Sequence, residues 1–300
     1  MPQKAYWYQG GISESGPISL DRIFIYHVRK TGTTTLFNAV RASAAYLFKA
    51  MAKVVPTFTP PEMGRMDDLE CLGFPAIDDN FFLVASHLPF GFHDRFAHDF
   101  KLVTVLRDTY RRVLSSYTFQ CMRTRTRPRA DAFQAFLRRE ENRNVSVKQL
   151  SGLLPAASAS RNDMMTAKKH LTDNFFMYGT TEDISRICSA ILKMNRMPNV
   201  WIDHLNKTEP GYRLDGSPFE HEIQDLNRLD CQLYDFVAGN PRIVEPEPLE
   251  PHPLTVLVRE TGNAGESEGQ TMSIPTAAIR KNMAGGDFSG QALERHFTQE

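Results

Sequence analysis

Short apolar runs alternate with longer amphipathic stretches along most of this 300-residue chain. RIFIYHV (22–28), NFFLVAS (80–86), KLVTVLRD (101–108) and NFFMYGT (174–180) are rich in β-branched and aromatic residues, and their length predicts strands. Thr34 to Val54, Tyr110 to Cys121, Ala130 to Glu141, Asn162 to Leu171, Thr181 to Asn195 and Phe219 to Val237 carry the periodicity of helices. Strands separated by helices on this scale predict an α/β fold, a mostly parallel sheet with helices on both faces. In such sheets a ligand sits at the carboxyl ends of the strands.

The pattern changes near Pro241. Prolines at 246, 248, 251 and 253 cannot continue a helix and predict an extended linker. Beyond it LTVLV reads as one strand, GNAGESEGQ as a loop, and TAAIRKNM and GQALERHF as short helices. The expected organisation is an N-terminal segment (1–20), one domain (21–240) and an irregular C-terminal extension (241–300). That extension reads as a docking arm, to a second copy in a homodimer, or as a loosely ordered tail.

Composition narrows the function. With 41% hydrophobic residues the chain can bury an ordinary core, and its zero net charge argues against coating nucleic acid. The charge is unevenly placed: residues 101–170 hold 15 Lys/Arg against 5 Asp/Glu, and residues 241–300 hold 5 against 9. The middle of the chain suits an anion. Cys71, Cys121, Cys188 and Cys231 are far apart and fall in apolar or helical patterns, which predicts buried free thiols. No CxxC or HExxH spacing points to a metal, and neither an apolar leader nor an 18-residue apolar run occurs. A soluble, cytoplasmic protein without stable membrane insertion is expected.

The segment FIYHVRKTGTTTLFNAV (24–40) places a lysine, a glycine and four threonines where a strand gives way to a helix. Helix-start N–H groups lack intrahelical acceptors and the helix dipole is positive there, so a phosphate is readily held. Arg29, Lys30, Thr31, Gly32, Thr33, Thr34 and Thr35 are the candidate cradle. In the nucleotidase loop GxxxxGK[ST] the lysine follows the glycines; here it precedes the single glycine, which fits a magnesium nucleotidase badly. A plain threonine-rich N-cap is the bland alternative. In KLVTVLRDTYRRVLSSYTF (101–119) the strand ends at Leu106 and Arg107 stands at its carboxyl end, beside the first loop if the two strands are neighbours, with Arg112 and Ser115 in the helix beyond. An arginine fork with a serine hydroxyl suits a second phosphate. The alternative is an Arg107–Asp108 ion pair at a helix start.

HVRKTGTTTL resembles the 5′-phosphosulfate loop of sulfotransferases that use 3′-phosphoadenosine 5′-phosphosulfate (PAPS), and LRDTYRRVLSSYTF resembles their 3′-phosphate motif, LRDPxxRxxSxY. NVSVKQLSG (144–152) is similar to the NxxxRxLxG segment of that family, and FMYGTTEDISRICSAI to its VGxxE block. The likeness spans roughly residues 20 to 240 and is nearest to the carbohydrate branch containing heparan sulfate 2-O-sulfotransferases. Arg29 and Thr109 stand where the family has proline, and Lys148 where it often has arginine.

The resemblance implies a P-loop-like fold, PAPS as donor with PAP as product, no metal, and a carbohydrate or glycolipid hydroxyl as acceptor. It gives Lys30 the role of stabilising the departing phosphate, and Arg107, Ser115 and Lys148 roles in nucleotide binding. VASHLPFGFHDRF resembles the family's GHxPFG segment, whose histidine is the base, which implies that role for His87 with His93 as second choice. His93 and His98 otherwise read as a surface helix. Arg123, Arg125, Arg127 and Arg129 alternate and would project to one side if extended, toward an acidic saccharide, the nucleotide or solvent. Lys207 and Thr208 suggest a lid. A nucleotide-dependent kinase and a non-catalytic PAP-binding scaffold are the alternatives from other classes.

Overall fold

The computed structural model describes residues 21–47, 82–96, 99–197, 199–202, 210–245, 254–258 and 278–281. In chain order the elements are β1 (Ile23–Tyr26), α1 (Thr33–Leu47), β2 (Leu83–Ser86), β3 (Lys101–Leu106), α2 (Thr109–Thr124), α3 (Ala130–Arg138), α4 (Val145–Ser151), α5 (Arg161–Asn174), β4 (Phe175–Thr180), α6 (Ile184–Met194), β5 (Asn199–Ile202), α7 (Glu220–Leu226), α8 (Arg228–Gly239), β6 (Leu254–Val258) and β7 (Ala278–Lys281). Short 3-10 turns intervene, including Phe92–Arg95 and Glu140–Asn142.

Four strands form one all-parallel sheet in the order β2-β1-β3-β4. Every residue of β1 and β2 is buried, as a sheet covered on both faces requires. Successive side chains divide between the faces. Ile23 and Ile25 join α1 and α6 in one core, whereas Phe24 and Tyr26 join Val147 and Leu150 of α4, Leu171 of α5 and Leu233 of α8 in the other. Each fully buried Ile, Leu or Phe contributes about 1.5–3 kcal/mol, so the two faces hold the sheet rigid behind its carboxyl edge. A third cluster packs α2 against α3 and α7 through Tyr117, Phe133 and Ile223.

The α/β architecture agrees with the expectation, and several boundaries differ. The stretch 219–237 is two helices separated at Asn227, whose side-chain oxygen accepts from the Asn144 amide at 3.0 Å and from Arg112 at 3.3 Å. The helix from Ala130 stops at Arg138. The stretch around Ala278 is a strand rather than a helix, antiparallel to β6 in a second sheet ordered β5-β6-β7. LTVLV is the strand β6, as its pattern predicts. Among the described residues no helix is long and apolar enough to cross a membrane. Cys121 and Cys188 are buried free thiols and Cys231 is a half-buried one; Cys71, His98, Lys207 and Thr208 lie outside the described residues, as do the linker prolines.

Candidate active site

β1 lies between β2 and β3, with Tyr26 level with both Ser86 and Thr104. The chains leaving these three strands carry the loop 27–32, His87 and Arg107, which therefore meet at one edge of the sheet. Within the loop, Lys30 and Gly32 both have left-handed backbones, φ 65° and 85°, with Thr31 between them. Such alternation turns successive N–H groups toward one concavity, a nest for an anion. Among the described residues no acceptor pairs with the N–H groups of Thr31, Gly32, Thr33 or Thr34. Glycine suits position 32 because its φ of 85° disfavours any side chain, and a Cβ there would also push aside Ile184 Cδ1 at 2.6 Å.

Arg107 donates from Nη1 to the Lys30 carbonyl at 3.3 Å, tying the end of β3 to the loop. Asp108 instead caps α2, accepting from the Arg111 amide at 2.9 Å, so the guanidinium and its neighbour serve different partners. Ser115 is half-buried on the same helix. The Lys30 ammonium rests 4.2 Å from the centre of the Phe119 ring, one turn beyond Ser115, and that ring is half-exposed. Loss of hydration, and secondarily the nearby Arg107 charge, holds Lys30 below the usual lysine range. An anion between the two cations would reverse that tendency.

His87 has a defined tautomer. Its Nδ1 lies 2.5 Å from the His27 carbonyl, and a carbonyl only accepts, so Nδ1 carries the proton and Nε2 keeps its lone pair. Among the described residues Nε2 has no hydrogen-bond partner. The His87 ring stacks on His27 at 4.1 Å between centroids. Burial pushes His87 down to about 4, helped by the Arg29 charge and opposed by the His27 carbonyl. His27 is held lower still, to about 3, by burial and by the charges of His87 and Lys30. Both rings are neutral near pH 7. A small cleft beside His87 is lined by Arg29, Glu141, Lys148, Gln149 and Pro155 among others.

Several expected contacts are placed elsewhere. Thr31 and Thr33 are fully buried, with Thr31 Oγ1 donating to the Val28 carbonyl at 2.8 Å, so these two hydroxyls stabilise the loop from inside. Thr34 Oγ1 pairs with His27 Nε2 at 3.2 Å. Thr35 is half-buried and Arg29 is exposed at the loop's rim. Lys148 is buried and gives its three donors to the Glu140 carbonyl, the Glu140 carboxylate and the Pro155 carbonyl at 2.6, 2.9 and 3.0 Å, leaving none for a phosphate. Arg112 is likewise buried and paired to Asp230 at 3.0 Å, which removes it from the second phosphate site.

His93 belongs to a 3-10 turn rather than a surface helix. Its Nδ1 meets the Tyr26 hydroxyl at 2.6 Å and its Nε2 meets Asp94 at 3.3 Å, so both nitrogens are engaged. Arg123 lies in the last turn of α2, Arg125 is its left-handed C-cap and Arg129 pairs with Asp131, so the four arginines do not form one extended row. His27 and Phe119 have no role in the sequence motifs, yet they contact Thr34, His87 and Lys30. The signal for His27 was its place at the strand exit beside a threonine-rich turn. Comparison of the chain with known protein families and with curated protein sequences finds no match.

Proposed function

We propose that this protein is a sulfotransferase that moves the sulfuryl group from PAPS to an acceptor hydroxyl, on a carbohydrate or glycolipid. The observation that carries this reading is the meeting of three groups at one sheet edge: the Lys30–Gly32 nest, Arg107 hydrogen-bonded to it, and a neutral His87 beside a small cleft. Two cationic points on neighbouring strands suit a ligand carrying both a 5′- and a 3′-phosphate. The sequence resemblance supplies the identity of that ligand.

The residue roles follow from charge. The nest and Lys30 would stabilise the negative charge that accumulates on the 5′-phosphate oxygen as the S–O bond to it breaks. Arg107 and Ser115 would hold the 3′-phosphate and so fix the donor's register. The Nε2 lone pair of His87 would take the acceptor proton as the acceptor oxygen bonds to sulfur, so the acceptor gains sulfate and PAP leaves. Arg29 and Glu141 place charged groups on the cleft beside His87, next to the apolar Pro89, Val145, Leu153 and Pro155.

Transfer of labelled sulfate from PAPS into a panel of small alcohols, phenols, glycans and lipids tests the reading. The expected result is incorporation into a glycan or glycolipid, with kcat reduced about 10²- to 10⁴-fold in His87→Ala. Incorporation into no acceptor, or near-normal kcat in that variant, would contradict it.

A further inference from the structure

His87 is held from both sides, and only one side belongs to the phosphate loop. On the loop side, the His27 amide donates to the Ser86 carbonyl at 2.8 Å and the His27 carbonyl receives His87 Nδ1. On the other side stands α4. The buried Gln149 donates from Nε2 to the Ser86 carbonyl at 3.1 Å and to the Leu88 carbonyl at 3.3 Å, the two residues flanking His87. The backbone carbonyl of Gln149 accepts from the Phe90 amide at 2.7 Å. One residue thus contacts the 86–90 segment three times without touching the His87 ring in any recorded hydrogen bond.

Gln149 can act this way because α4 is itself fixed. Asp230 of α8 accepts from the Ser146 and Val147 amides at 3.1 and 2.9 Å while paired to the buried Arg112 of α2. Asn144 accepts from the Leu229 and Asp230 amides at 3.1 and 3.2 Å. The amide of Gln149 therefore links a rigid three-helix junction to the backbone on either side of the histidine.

We infer that Gln149 is a positioning residue for His87, its side-chain amide bridging the Ser86 and Leu88 carbonyls so that the histidine's Nε2 is presented to the cleft in one orientation. The inference rests on the reading of His87 as the base. It requires the N–H donors of the amide, not merely its bulk: without them the Ser86 carbonyl keeps only the His27 amide and the Leu88 carbonyl loses its Gln149 donor, so the turn between them would shift. A displacement near 1 Å at a reacting group is enough to lower turnover about 10²-fold.

Two variants separate donor from shape. Gln149→Met keeps the volume and donates nothing; Gln149→Leu, a shorter apolar side chain, also donates nothing, and it serves if the first variant folds poorly. In both, kcat for sulfate transfer should fall about 10- to 100-fold, with PAP affinity within about twofold of wild type. ¹⁵N spectra of the histidine rings should show His87 as a single Nδ1–H tautomer in the wild type and as a tautomer mixture in the variants. Wild-type kcat and an unchanged His87 spectrum would overturn the inference. Wild-type protein that transfers no sulfate overturns the reading of the base instead, and the spectra, which report the ring irrespective of turnover, still decide whether Gln149 sets its orientation.

Discussion

At the scale of single residues, the loop depends on backbone conformations that side chains ordinarily avoid. Lys30 adopts φ 65°, a left-handed backbone uncommon for a residue with a long side chain, and Arg107 holds its carbonyl there at 3.3 Å. Gly32 carries the second left-handed position and has Ile184 Cδ1 within 2.6 Å of where a Cβ would stand. Gly32→Ala should therefore strain the loop, push the Ile184 side chain aside and cost about 1–3 kcal/mol. The expected outcome is a lower thermal midpoint together with weaker PAP binding. An unchanged midpoint and affinity would mean that the nest is not built as described.

At the scale of elements, the parallel sheet was legible because its strands have the β-branched and aromatic character of fully buried strands, with helices between. The placement of Lys30, Gly32, Arg107 and His87 at the sheet edge was legible, because His87 and Arg107 directly follow recognisable strands and Lys30 and Gly32 lie in the turn after β1. Lys148 and Arg112 were not, because a basic residue inside a helix looks the same whether it meets a ligand or a carboxylate. Their partners, Glu140 and Asp230, lie 8 and 118 residues away. Those partners make Lys148 and Arg112 parts of the scaffold. Arg112, Asp230, Asn144 and Asn227 join α2, α4 and α8 in a buried polar junction, with Arg112 Nε alone left without a partner among the described buried side-chain atoms. Asp230→Ala would leave the guanidinium uncompensated, and the expected loss in urea denaturation is about 3–5 kcal/mol. A loss below about 1 kcal/mol would show that the junction is not what holds α4 in place.

At the scale of the whole molecule, the site and the stability of the fold share an acid sensitivity. His27 and His87 are pushed down to about 3 and about 4 by burial, against about 6.5 in an unfolded chain. Between those values the unfolded chain binds protons that the folded one refuses, so stability rises with pH through this window and falls as pH drops from about 6.5 toward about 4. The half-buried His93, also lowered by loss of hydration, adds to the same slope. Urea midpoints taken from pH 7.5 to 4.5 should decline below about 6.5, with a shallower decline in His27→Asn. A flat profile across that range would contradict the burial of the histidine pair.

The proposed function requires a pair of anion sites on adjacent strands, one at the Lys30–Gly32 loop and one at Arg107 and Ser115. Calorimetric titration with PAP and with adenosine 5′-phosphate, on the wild-type protein and on Arg107→Ala, addresses that pairing most directly. The account predicts that the wild type binds PAP more tightly than the nucleotide lacking the 3′-phosphate, and that Arg107→Ala removes most of the difference. Failure of the wild type to bind PAP, or equal losses for both nucleotides in the variant, would contradict it.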